Sequence, residues 1–157
     1  MKTIDFSAKV IESSFEELSP EQQKLVSMAR KATYRSYAPY SRFSVGAAIL
    51  LNNGEIICGS NQENAAYPSG TCAERTAAYY AHASHPDAKF VTIAIAARGT
   101  DEAETPYPIS PCGACRQALL EYEKLAGAKV PVILSGKDKI YIFPSVASLL
   151  PYCFTEI

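Results

Sequence analysis

The chain has 157 residues, 48% of them hydrophobic and 20% charged, and its 15 basic and 16 acidic side chains leave a net charge of −1. That length suits one domain, residues 1–157, burying roughly two thirds of its unfolded surface, and the charge balance offers no footprint for a phosphate backbone or an anionic membrane, so neither a nucleic-acid polymer nor a membrane is expected as partner. The opening M-K-T-I-D-F-S-A-K-V lacks the basic-then-apolar pattern of a secretory signal, which makes a cytoplasmic protein the expectation and five free thiols more natural than disulfides.

Ile4, Phe6, Ala8 and Val10 alternate with polar residues, the period of a half-buried strand over 3–11 within an N-terminal extension of residues 1–18. Ser19-Pro20-Glu21-Gln22 then combines an N-cap serine, a proline at the first helical position and a glutamine three residues after the cap. A helix follows, with Leu25, Met28, Ala29 and Ala32 on one face and Pro39 to stop it. The segment 43–51 reads as a buried strand, Asn53-Gly54 as a hairpin turn and 55–60 as the returning strand. Thr71 is placed to cap an alanine-rich helix to about Ser84, and 89–97 reads as a central strand covered on both faces. Past a proline-bearing loop over 98–111, a helix begins near Cys112 and ends before Gly127. Strands over 130–135 and 140–143 flank the turn Gly136-Lys137-Asp138, and 145–150 closes as a short helix. Strands alternating with helices predict a three-layer α/β/α domain around a mixed sheet of five strands.

Three cysteines fall at helix starts, where the dipole favours thiolate, the form that binds metal. Cys112 and Cys115 share one helix face, an arrangement that alone fits a redox pair as well as half a zinc site. Cys72, one helix-strand unit earlier, supplies a third sulfur. His82 and His85 stand about three turns down the helix from it, so no fourth ligand is spaced to close the shell. Three protein ligands and an open position are the composition of a catalytic zinc. Glu74, two residues from Cys72, reads as a solvated first-turn carboxylate on its own and as a general base beside an open metal position.

The blocks S-R-F-S-V-G-A-A (41–48), N-Q-E-N-A-A-Y (61–67), C-A-E-R-T-A (72–77), P-C-G-A-C-R-Q (111–117) and L-L-P-x-x-F (149–154) occur in the order of the small, homotetrameric, zinc-dependent cytidine deaminases, which the chain resembles from about Ser19 onward. The resemblance implies one Zn²⁺ per subunit on Cys72, Cys112 and Cys115, with Glu74 as catalytic proton carrier. It implies Phe43 against the pyrimidine, Asn61 and Glu63 on the ribose 3′-hydroxyl, and the Ala73 amide on the base carbonyl. Tyr67 and Phe154 are implied at subunit interfaces that complete the pockets of a homotetramer. Without the zinc blocks, Phe43 would read as core and Asn61 and Glu63 as a polar loop. The implied reaction is hydrolytic deamination of cytidine and deoxycytidine to uridine and deoxyuridine by hydroxide attack at C4, as in pyrimidine salvage. Three thiolates on Zn²⁺ carry a net −1, so a compensating cation is needed, and Arg75 is the candidate, with Gln117 a weaker second partner near the ligands.

Departures from the pattern are the N-terminal strand, the long 98–111 loop and Tyr152-Cys153 where small residues are usual. Two rival readings are a blasticidin-type nucleoside-antibiotic deaminase and a non-catalytic zinc-stabilised binding module. A polynucleotide-editing deaminase fits poorly, having histidine where Cys72 stands.

Overall fold

The computed structural model describes residues 1–155. A sheet in the order β1-β6-β5-β4-β2-β3 is built from β1 (Ile11–Ser13), β2 (Ser44–Leu51), β3 (Ile56–Ser60), β4 (Phe90–Arg98), β5 (Val132–Ser135) and β6 (Ile140–Phe143). Only β4 and β5 run parallel; every other neighbouring pair is antiparallel. The sheet is therefore mixed, as expected, but has six strands where five were expected.

The extra strand is β1, and it is not where alternation placed it. Residues 3–10 are exposed and lie outside any strand, while Ile11–Ser13 pairs with Ile142–Ile140 at the sheet edge. Alternation marks a segment able to pair. Pairing itself requires a neighbouring strand, and the four-residue β6 reaches only 11–13.

Helix α1 (Pro20–Ala32) starts on a full capping box, with Gln22 N donating to Ser19 Oγ and Ser19 N donating to Gln22 Oε1. It ends well before Pro39, because the chain tightens into a 3₁₀ turn over Thr33–Arg35, where the Thr33 hydroxyl donates back to Arg30 O. Leu25, Val26 and Ala29 pack with Ala48, Leu50, Ala94, Ala96 and Ile133 on one face of the sheet. On the other face, α2 (Ala73–Ser84) and α3 (Gly113–Ala126) cover Ala47, Ile49, Ile93, Ile95, Val132 and Leu134. Three layers result, and β4 reads as a nearly continuous apolar run because both its faces are covered. Gly127, with φ 66°, ends α3 in the left-handed region. Among the described residues no helix is long and apolar enough to cross a membrane.

The 98–111 loop folds back on the sheet. Lys137 N donates to Thr105 O and Asp138 N to Pro106 O, so its proline-rich half rests on the turn between β5 and β6.

Candidate metal centre and pocket

Both helices that carry cysteines begin on one: Cys72 is the N-cap of α2 and Cys112 the N-cap of α3, each in extended conformation. Thr71 is therefore not the cap, and neither cysteine side chain accepts a capping hydrogen bond. The first-turn amides are left to other acceptors. Gly59 brings α2 down onto β3, since a Cβ there would stand 2.5 Å from Ala73 O and closer still to Ala77 N.

The Sγ atoms of Cys72, Cys112 and Cys115 all lie within 4.8 Å of one another, with Cys72 and Cys112 at 3.9 Å. Tetrahedral Zn–S bonds of about 2.3 Å place two ligand sulfurs about 3.8 Å apart. The donor set and spacing fit zinc. His82 instead packs on Tyr122, and His85 Nε2 meets Glu55 at 2.7 Å. Cys58 sits on β3, and the Cys153 thiol lies near the Ala147 and Leu150 carbonyls.

Without metal, the Cys115 thiol, together with Arg75 and Cys112, holds Cys72 down to about 5. Cys115 itself is pushed far up, chiefly because it is the partner that keeps the shared proton. Arg75 Nη2 lies 3.8 Å from Cys72 Sγ, and buried Arg75 Nε has no hydrogen-bond partner among the described residues. A buried guanidinium nitrogen on the side chain that contacts Cys72 Sγ is the donor such a thiolate needs when it becomes a metal ligand.

Glu74 is only 4% exposed. Burial raises its carboxyl above the usual carboxylate range, and the negative charge of Cys72 adds to the shift. Neighbouring Ala73 is fully buried at the first helical position, where its N–H has no intrahelical acceptor.

A cavity of about 590 Å³ opens beside Cys72 and Arg75, walled further by Tyr40, Glu63 and Tyr67, with Asn61 on its lining. Segment 61–63 is laced into place: Tyr37 N donates to Asn61 O, Glu63 N to Tyr37 O, and Gln62 and Thr71 exchange two backbone bonds of 2.9 Å. That lacing fixes the distance between the loop and the start of α2. Glu63 accepts from the Tyr40 and Ser41 amides at 2.9 and 3.3 Å, and hydrogen bonds from Ser41 and Tyr40 hold its carboxyl below the ordinary range.

Asn61 is more constrained than a free polar loop residue. Its Oδ1 accepts from Val45 N at 2.7 Å and from Ser36 Oγ, and its Nδ2 donates to Phe43 O at 2.9 Å. One Nδ2–H remains for a ligand. Phe43 is half-buried and lies outside the cavity wall. Phe154 is 66% exposed, and its carbonyl accepts from Gln117 Nε2 at 2.9 Å, which places the Gln117 amide on the C-terminal segment. Tyr40 and Gln62 also line the cavity, though the sequence motifs assign neither a role. Their signal was adjacency, Tyr40 to the Ser41 block and Gln62 between Asn61 and Glu63.

Residues 19–129 match the cytidine and deoxycytidylate deaminase zinc-binding region. A cytidine deaminase from Sporosarcina psychrophila is 40% identical over 134 residues, spanning 85% of this chain and 91% of that protein. One from Halalkalibacterium halodurans is 41% identical over 135 residues, 86% and 95% of the two chains. The crystal structure of cytidine deaminase from Burkholderia pseudomallei superposes with a TM-score of 0.71 at 37% identity, covering 83% of this chain and 97% of its own. With a zinc-fitted thiol triad at the helix starts and agreement along most of its length, the chain belongs to the cytidine and deoxycytidylate deaminase family.

Proposed function

We propose that this chain is a zinc-dependent cytidine deaminase that converts cytidine and deoxycytidine, with water, to uridine or deoxyuridine and ammonia. The observation that carries the reading is a buried glutamate two residues from Cys72, a thiol of a zinc-fitted triad that also lines a cavity shared with the Glu63 carboxylate. Cys72, Cys112 and Cys115 hold the ion. When bound, Zn²⁺ supplies a Lewis-acidic position that brings the pKa of water toward neutrality. Glu74 is placed to take a proton from the attacking water and deliver it to N3 of the pyrimidine, which makes C4 electrophilic. Glu74 then takes the proton of the hydroxyl added at C4 and passes it to the exocyclic nitrogen. The C4–N bond breaks with its electron pair leaving on nitrogen, and ammonia departs.

Ala73 N–H donates to the base carbonyl, and Phe43 packs against the ring. Glu63 accepts from the ribose 3′-hydroxyl while the remaining Nδ2–H of Asn61 donates to the same oxygen. A base without sugar leaves those groups unpaired, so free cytosine is rejected. A phosphate near Glu63 meets like charge, so nucleotides are disfavoured. Arg75 offsets the net −1 of three thiolates on Zn²⁺. Initial rates on cytidine, cytosine and cytidine monophosphate test the assignment. Cytidine should be fastest by a wide margin, and equal turnover of cytosine would refute the sugar contacts.

The working form is a homotetramer acting in cytoplasmic pyrimidine salvage. Tyr67 at 80% exposure and Phe154 at 66% support it, since both are large aromatics left open in a single chain. Sedimentation at working concentration should give four subunits; a monomer that is fully active would contradict this assembly.

A further inference from the structure

Arg116 follows the ligand Cys115 directly, yet its side chain turns away from the sulfurs and makes three separate bonds. Nε donates to Pro111 O at 2.8 Å, Nη1 to Leu149 O at 2.8 Å, and Nη2 to Ser110 Oγ at 2.7 Å. Pro111 is buried and immediately precedes Cys112, and Leu149 is buried in the C-terminal 3₁₀ turn Ala147–Leu149. One planar guanidinium thus spans the approach to the metal ligand and the chain's C-terminal turn.

Cys112 needs such a hold. Its side chain is exposed, it has no capping bond of its own, and Gly113 and Ala114 beside it are exposed as well. Cys115, by contrast, is fully buried within α3. The exposed partner of the C-x-x-C pair is therefore Cys112, and the polar anchor on the residues preceding it is Arg116. The turn that Arg116 grips is itself secured independently by Glu123, whose carboxylate accepts from Val130 N at 2.9 Å, Val146 N at 2.7 Å and Ala147 N at 3.1 Å. A rigid post stands on one side of the fork and a metal-ligand loop on the other.

We propose that Arg116 is a positioning residue for the metal centre, a three-way clamp that fastens the Ser110–Cys112 approach to the Leu149 turn and so slows release of zinc. The inference rests on Cys112 being a zinc ligand. Lysine carries the charge but offers a single ammonium, which cannot meet three acceptors set in a fork. Partners that orient ligands without touching metal are commonly worth about ten- to a hundredfold in metal affinity.

The test measures zinc content after purification and then the rate of zinc transfer to a chromogenic chelator in excess. Wild type is compared with Arg116→Gln, Arg116→Lys and Glu123→Gln, and thermal midpoints are recorded for all four. Arg116→Gln should release zinc about tenfold faster, with Arg116→Lys between it and wild type. Glu123→Gln should lower the thermal midpoint and release zinc faster than wild type but more slowly than Arg116→Gln, because it loosens the post while the guanidinium keeps its bonds to Pro111 and Ser110. Wild-type release from Arg116→Gln would overturn the clamp while leaving the metal centre intact. Equal acceleration by Glu123→Gln would overturn it too, by reducing the effect to general loosening. A wild type that binds no zinc would overturn the metal centre itself and the clamp with it.

Discussion

Replacing Asn61 with alanine separates two roles that one side chain holds together. The carboxamide makes three internal hydrogen bonds, to Val45 N, Phe43 O and Ser36 Oγ, and leaves one N–H for substrate. Each internal bond contributes about 1 kcal/mol net, and the half-buried strand start leaves Val45 N and Phe43 O only partly able to recover water, so Asn61→Ala should cost about 2–4 kcal/mol. For a domain of this size that corresponds to a fall in Tm of roughly 5–12 °C. The loss should also reach KM, because Phe43 and the loop holding Glu63 both hang on this amide. Differential scanning calorimetry of zinc-loaded protein gives the first number and steady-state kinetics on cytidine the second. A variant with unchanged Tm and a raised KM would refute the reasoning, since it would make Asn61 a ligand with no part in building the site.

Arg75→Ala should weaken zinc retention and lower activity by about one to two orders of magnitude, the size expected for a charge-assisted contact to a half-buried ligand thiolate; unchanged zinc content and turnover would remove Arg75 from the charge balance. Gly59→Ala forces α2 off β3 against backbone atoms that cannot rotate away, so it should cost several kcal/mol. Its zinc content should fall with its stability, and a wild-type midpoint in thermal unfolding would show that the helix is not seated there. Glu63→Gln should narrow the preference for cytidine over cytosine through loss of the charged acceptor, and an unchanged ratio would place sugar recognition elsewhere.

The elements of the domain were legible where local chemistry coincided with global position. The Ser19 box and the αL glycine at 127 mark helix ends by satisfying orphan backbone groups, and both are read directly from residue type. The start of α2 was misplaced by one residue because Thr71 is the better cap chemically, whereas the chain spends Thr71 N and O on Gln62 and leaves Cys72 at the N-cap. The N-terminal alternation failed for a different reason: a strand needs an edge, and sequence period carries no information on how far a neighbouring strand extends.

The site shows the same division. Three cysteines and a glutamate announce themselves through spacing and helix-start chemistry, and the convergence of the sulfurs follows from α2 and α3 lying side by side on one sheet face. Asn61 and Gln117 show what spacing does not carry. Their amides look available in the sequence, and only tertiary contacts reveal that one is mostly occupied by Val45, Phe43 and Ser36 and the other is turned to Phe154. The cavity wall at Tyr40 depends likewise on where the loop after α1 returns to Glu63.

The most direct measurement is cytidine turnover, followed by the fall in absorbance, together with bound zinc per subunit, for wild type and Glu74→Gln. The substitution keeps size and hydrogen-bonding shape at a position only 4% exposed while removing the proton carrier. Both proteins should carry wild-type zinc, and the variant should lose at least about a hundredfold in turnover. A Glu74→Gln protein that keeps its zinc and deaminates cytidine near the wild-type rate would contradict Glu74 as the proton carrier.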